Sequence, residues 1–309
     1  MILCAGEALI DMLPRETADG HPCFAPHAGG AVFNTAVALG RLGVATSFFC
    51  PLSDDLFGTQ LRAGLEQAGV DHSLSPAVAR PCTLAFVTLK EGQAQYAFYD
   101  RGTALRDLER AELPVLPDAV TALFFGGISL VDGSCADAFE ALCAQSGDRL
   151  VMVDPNIRPG FVRDEAAYRA RLERMIAQAD IVKLSDEDLH WLMGAGEIAS
   201  LAQALRARGP RIVAITEGAQ GARAFSALGQ THVPAPKVSV VDTVGAGDTF
   251  NAGFLAGVSR AGQLRKAALD RLSDTDLRAA LALGVAAAAV TVSRAGANPP
   301  WAQELTCAP

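Results

Sequence analysis

Residues 242–255 read DTVGAGDTFNAGFL. Three small residues, Gly245, Ala246 and Gly247, run into one carboxylate, Asp248, and apolar residues at helical spacing follow. Glycines keep side chains away from backbone N–H groups, and a helix N-terminus offers those groups to an anion along a favourable dipole. Read that way, the stretch is a phosphate cradle, with Asp248 beside it to accept a proton. An ordinary turn with Asp248 as helix cap uses the same residues. A second glycine stretch, HAGGAVFNTAVALGRLG at 27–43, opens a helix whose first turns carry Asn34. Asn donates and accepts, so it can grip a pair of sugar hydroxyls, and the bare backbone at Gly30 leaves room for a ring. A helix start with a surface Asn is the plainer alternative.

Other polar residues fall where strands are expected to end. Asp11 follows the first apolar run at a carboxyl-end position, where it can accept hydrogen bonds from two hydroxyls or serve as a turn aspartate. In DPNIRPG at 154–160, Arg158 can reach a phosphate or an anionic substrate, while Pro155 and Pro159 equally suit a rigid turn. FYDRGTALR at 98–106 offers Arg101 and Arg106 to ligand or to solvent.

The elements that must position these groups follow from periodicity. Residues 120–216 alternate between short apolar runs (VTALFFGG, RLVMVD, DIVKLS, RIVAIT) and helical stretches near 134–144, 164–178 and up to about 208. That alternation predicts a parallel sheet covered on both faces, with ligands beyond the carboxyl ends of its strands. Those ends carry Gly126-Gly127, Asp154-Pro155-Asn156, Ser185 and Thr216-Glu217-Gly218. Two segments break the pattern. Residues 11–28 lack helical period, and 82–99 read as a hairpin turning at Lys90-Glu91-Gly92. Together, about 11–28 and 82–104, they are expected to pair as a small sheet projecting from the main body. Helices are expected at about 246–260 and 275–292. No repeat or low-complexity linker interrupts the chain.

With 309 residues, 50% hydrophobic and 19% charged, the chain can bury a large core. A net charge of −8 without any basic run argues against a nucleic-acid surface, yet amides and a metal can still supply local positive potential to a phosphate. Ile2-Leu3-Cys4-Ala5 reads as a first strand rather than a leader. The longest apolar run, 281–292, is shorter than a membrane span. Seven scattered cysteines, with no Cys-x-x-Cys, suggest reduced and mostly buried thiols and a cytoplasmic setting. Five scattered histidines make a zinc site a poor reading.

The two glycine signatures, AGGAVFNTAVALGRLG and DTVGAGDTFNAGFLAG, resemble in order and separation those of the ribokinase-like (PfkB) carbohydrate kinases. GEALIDMLP, DPNIRP and AGANPP extend the resemblance over nearly the whole chain. FYDRGTA, FFGGISL and KLSDEDL look most like the bacterial fructokinases of the family, although 2-keto-3-deoxygluconate kinases share most of these motifs. The resemblance implies an α/β fold: a three-layer α/β/α sandwich, one domain over 1–309, with a mainly parallel sheet and a small β-sheet lid. It implies Asp248 as general base and the amides of Gly245, Ala246, Gly247 and Asp248 as an anion hole. Asp11, Gly30 and Asn34 would hold the sugar. Thr216, Gly218 and Gly221 would line the ATP site, and the last helix near Ala286 would flank adenine. Asp242 would hold a monovalent cation such as K+. Where the family often has Asn-x-x-Glu near magnesium, this chain has Ser185 and Asp188, so Asp188 is the candidate for Mg2+.

The expected activity is ATP-dependent phosphorylation of a sugar hydroxyl, D-fructose to fructose 6-phosphate, with ketodeoxygluconate as the alternative sugar. Arg101 and Arg158 are the candidate sugar contacts, and Arg106 is a third arginine within reach of an acid group. A homodimer through the lid is expected, without nucleic-acid or membrane partners. A dinucleotide-binding oxidoreductase would need Gly-x-Gly-x-x-Gly after the first strand, which GEALID lacks. A non-catalytic sugar-binding regulator on the same fold would be expected to lose the base, and Asp248 is present.

Overall fold

In the computed structural model, which describes residues 1–90 and 93–305, the apolar runs form strands in three sheets. In chain order these are β1 (Ile2–Ala5), β2 (Leu9–Glu16), β3 (Pro22–Gly29), β4 (Thr46–Phe49), β5 (Leu52–Ser53), β6 (Ala77–Val78), β7 (Leu84–Lys90) and β8 (Gln93–Tyr99). They continue with β9 (Ala122–Gly126), β10 (Leu150–Asp154), β11 (Ile181–Ser185), β12 (Ile212–Thr216), β13 (Ala222–Ser226) and β14 (Gly229–Val233). The large sheet has eight strands in the order β14-β13-β12-β11-β10-β9-β1-β4. Neighbours from β4 to β12 run parallel, and the hairpin β13–β14 adds an antiparallel edge. The expected mainly parallel sheet is therefore present. Its strands are buried on both faces, which is why they read as continuous apolar runs.

Helices supply the two outer layers. They are α1 (Ala31–Arg41), α2 (Leu56–Gln67), α3 (Gly133–Ala144), α4 (Glu165–Gln178), α5 (Asp186–Met193), α6 (Ile198–Arg206), α7 (Ala246–Arg260), α8 (Lys266–Leu269) and α9 (Asp274–Val292). One layer groups α1, α7 and α9; the other carries α3 to α6. Helix α9 is long and apolar enough to cross a membrane by length and composition, unlike the shorter run expected from sequence. Here it lies along α7. A Cβ on Gly253 would stand 2.7 Å from Gly284 Cα, and one on Gly257 would stand 2.4 Å from Ala280 Cα. Close approach of two helices through small residues accounts for that composition.

The segments that broke the alternation pair with each other in the order β3-β2-β7-β8. The register Asp11↔Ala85↔Phe98 puts Asp11 and Phe98 on one face of this small sheet. Met12 and Phe86 pair on the other face, where Phe86 meets Phe24 and Tyr99 edge-on at 5.0 and 5.3 Å. Asp11 thus lies within β2 rather than at the end of β1, because the chain crosses into the small sheet after Ala8. Of the expected turn Lys90-Glu91-Gly92, residues 91–92 lie outside the described residues. The six described cysteines are free thiols, five buried and Cys23 half-buried; Cys307 lies outside the described residues.

Strand β1 sits between β4 and β9, so the chain winds outward from it in both directions. Such a switch point opens a crevice beyond the strand ends.

Candidate functional site

The carboxyl ends of the parallel strands open into one cavity of about 540 Å³. Leu9, Asp11 and Phe98 of the small sheet face it from one side, and the N-termini of α1 and α7 face it from another. Phe98 meets Phe161, which follows Arg158, edge-on at 4.1 Å, so the small sheet touches the main body at the cavity rim.

Helix α7 begins here because Gly245 takes φ 76°, a left-handed conformation natural to glycine. A Cβ there would also collide with Ala297 at 2.7 Å. Thr249 N–H is the first in the helix to close onto Gly245 O, at 2.9 Å. The N–H groups of Gly247 and Asp248 have no partner among the described residues, as expected of a helix start, and both residues line the cavity. Ala246 departs from the expected set: its N–H bonds Thr243 O at 3.3 Å and it does not line the cavity.

Asp248 is not the helix cap. Gly245 holds that position, and the Asp248 carboxylate turns to α1, where Asn34 Nδ2 donates to its Oδ2 at 2.9 Å. Asp248 is 7% exposed. Burial drives its pKa up to about 7; the Asn34 hydrogen bond and Lys183 pull the other way, while Asp154 and Glu7 reinforce the rise. Asp11 is also raised by burial, to about 6. A buried carboxyl that titrates near neutrality is suited to proton abstraction.

Glu7, in the turn after β1, escaped the reading of the sequence. Its Oε1 accepts from Ala31 N–H at 2.9 Å and its Oε2 from Ser129 N–H at 3.2 Å. It caps α1 in place of a side chain at Gly30, which has φ 106° and no room for a Cβ above Glu7 O at 2.8 Å. Burial raises its pKa. The signal was available: GEALID places an acid directly after the first strand.

The floor is polar and buried. Lys183 Nζ of β11 pairs with Asp154 Oδ2 at 3.0 Å, and Asn251 Nδ2 of α7 donates to the same oxygen at 2.6 Å. Ser185 and Asp188 form a reciprocal capping box on α5, and Asp188 Oδ1 accepts from Ile157 N–H at 3.1 Å. Burial raises the Asp188 pKa, and Asp154 adds to the rise. Arg158 lines the cavity; among the described residues its guanidinium bonds Ile157 O alone, at 3.1 Å.

Thr216 and Gly218 line the cavity at the end of β12. Gly221 does not: it turns the chain into β13 with φ 93°, packed so that a Cβ would meet Val233 O at 2.1 Å. Ala286 lies in α9, half-buried and outside the lining. Asp242 ties two turns, accepting from Val244 N–H at 3.0 Å and Gly296 N–H at 2.9 Å. Arg101 is exposed on the turn after β8 and outside the lining, and Arg106 is held by Asp100 at 2.6 Å and Asp132 at 2.8 Å. Of the three arginines, only Arg158 faces the cavity.

A family model described as pfkB family carbohydrate kinase matches residues 1–304. A fructokinase of Rhizobium leguminosarum bv. trifolii is 50% identical over 279 residues, which is 90% of this chain and 86% of that protein. The crystal structure of a fructokinase with bound ATP from Xylella fastidiosa superposes with a TM-score of 0.88 at 29% identity, covering 98% of this chain and 97% of that one. A Vibrio cholerae fructokinase structure in fructose, ADP and calcium ion bound form gives 0.83 at 25% identity, covering 96% and 94%.

Proposed function

Because the chain belongs to the pfkB family of carbohydrate kinases, we propose that it transfers the γ-phosphoryl group of ATP to D-fructose, giving fructose 6-phosphate and ADP. The observation that carries the mechanism is the buried Asp248 carboxyl, titrating at about 7 beside the open amides of α7. The sugar hydroxyl gives its proton to Asp248 as its oxygen bonds the γ-phosphorus. The bond from that phosphorus to the β-phosphate oxygen breaks, and ADP leaves with the electron pair. The N–H groups of Gly247 and Asp248 meet the charge on the moving group; one such donor is typically worth about 10²–10³ in rate. Asp11, Gly30 and Asn34 hold the sugar on the small-sheet side, and Thr216 and Gly218 border the nucleotide.

Among the described residues no group of three or more His, Cys, Asp or Glu is arranged to hold a metal. That fits Mg2+ carried chiefly by phosphates and water, with Asp188 as the nearby carboxylate. Bound there, Mg2+ would neutralise charge on the phosphate oxygens. For K+, Asp242 already accepts two amides, so it would act by shaping the turns around the ion.

The small sheet acts as a lid over the sugar, excluding water from the reaction. Its outer face, with Phe24, Phe86 and Tyr99, supports a homodimer through the lid: Phe24 and Tyr99 are exposed large apolar residues. A cytoplasmic location fits the free thiols.

One observation favours a second sugar. Arg158 faces the cavity with no carboxylate partner among the described residues, and ketodeoxygluconate carries an acid group that fructose lacks. ADP formation, measured with a coupled assay over a sugar panel, tests both. Turnover of fructose is expected, and no turnover of any sugar would overturn the kinase reading.

A further inference from the structure

Asp154 ends β10 beneath the cavity and is 2% exposed. Its oxygens reach three separate elements. Oδ1 accepts from Asn156 N–H at 3.1 Å, and Oδ2 accepts from Lys183 Nζ at 3.0 Å and Asn251 Nδ2 at 2.6 Å.

Each partner leads somewhere that matters. Asn156 has φ 43°, the one positive φ outside glycine among the described residues, and its turn carries Arg158 and Phe161 to the cavity. Lys183 Nζ stands 3.1 Å from where a Gly247 Cβ would be, directly under the anion cradle. Asn251 lies in the first turns of α7; its Oδ1 is buried without a partner, so Asp154 is the one anchor of its side chain among the described residues. Three donors from three directions need a group that only accepts, which a carboxylate is and an amide is not.

We propose that Asp154 is a positioning residue for phosphoryl transfer, joining the sugar side of the cavity to the anion cradle through Asn156, Lys183 and Asn251. The proposal rests on the kinase reading above. Without Asp154 the turn at Asn156 loses its tie, Lys183 is buried without a counter-charge, and α7 loses the Asn251 hydrogen bond to β10.

The charges give a signature that packing alone would not. The groups acting on Asp248 are Asn34 of α1, Glu7 of the turn after β1, Asp154 of β10 and Lys183 of β11. Asp154 disfavours the Asp248 anion and Lys183 favours it. Removing one or the other shifts the Asp248 titration in opposite directions.

The experiment measures kcat, KM for fructose and the pH profile for wild type, Asp154→Asn, Lys183→Met and the double variant. Asp154→Asn is expected to lower kcat by at least about 10-fold while KM changes by less than about 3-fold. Its acid limb moves to lower pH and that of Lys183→Met to higher pH. In the double variant the limb returns towards wild type while kcat stays low. Should Asp154→Asn fail to fold, the double variant, which buries no unpaired charge, carries the test. An active wild type whose variants keep its pH profile and kcat, or a double variant with full kcat, overturns the role of Asp154 alone. A wild type that forms no ADP overturns the kinase reading beneath it.

Discussion

Asn34 Nδ2 donates to Asp248 Oδ2 at 2.9 Å, although 214 positions separate the two residues. The bond joins the first turn of α1 to the first turn of α7 and fixes the orientation of the carboxylate. It also favours the Asp248 anion, against the larger effect of burial that raises the pKa to about 7. Replacing Asn34 with Ala removes the favourable part. The acid limb of kcat/KM is therefore expected to move to higher pH, with part of the lost turnover recovered under alkaline conditions. An unmoved limb would separate Asn34 from the titration of the base.

For the wild type, kcat/KM is expected to fall about tenfold per pH unit on the acid side of about 7, because only the ionised Asp248 accepts the proton. A limb near 4, the range of an ordinary carboxyl, would place the essential base elsewhere. The profile should be taken with saturating ATP so that nucleotide binding does not mask it.

Asp248→Asn is expected to lower kcat by at least about 10² while leaving nucleotide binding largely intact. The same variant should be the more heat-stable at pH 8. The folded pKa lies above the 3.8 of an ordinary aspartate, so the native state binds more protons than the unfolded chain between about 4 and 7. Stability at this site is thus lost as pH rises through that window, and Asn escapes the loss. Thermal melts should show no advantage near pH 3.5 and a clear one at pH 8. A simple helix cap would predict near-normal turnover instead.

The lid proposal makes a separate prediction. Adding fructose should slow amide exchange in β2, β3 and β7, and Phe98→Ala should raise ATP hydrolysis without sugar by removing the contact with Phe161 at 4.1 Å. Exchange that is unchanged across the small sheet would count against closure.

Sugar choice is tested by Arg158→Ala against a panel. Fructose turnover is expected to exceed that of ketodeoxygluconate in the wild type. A loss of turnover confined to ketodeoxygluconate in the variant would assign the guanidinium to that acid. A wild-type preference for ketodeoxygluconate would overturn fructose as the substrate.

Local sequence determined the elements. Short, mostly apolar and β-branched runs such as LVMVD and IVKLS, set between helical stretches, read as strands buried on both faces, and they appear as β10 and β11. Gly245-Ala246-Gly247-Asp248 marked a helix start, and α7 begins at Ala246. The irregular segments marked a second sheet, because strand-like patterns without helices between them pair with one another. Tertiary structure alone decided which groups meet. Asp11 moved from the end of a strand into the small sheet because pairing with Ala85 captured it. Arg106 was claimed by Asp100 and Asp132, and Gly221 by close packing against Val233, neither of which spacing can reveal. Glu7 and Asp154 stand at strand ends in the sequence, but their weight comes from being buried there, where each carboxylate must find donors from other elements. Periodicity reports what a residue's own segment does, whereas burial and hydrogen-bond satisfaction depend on segments brought together by the whole fold.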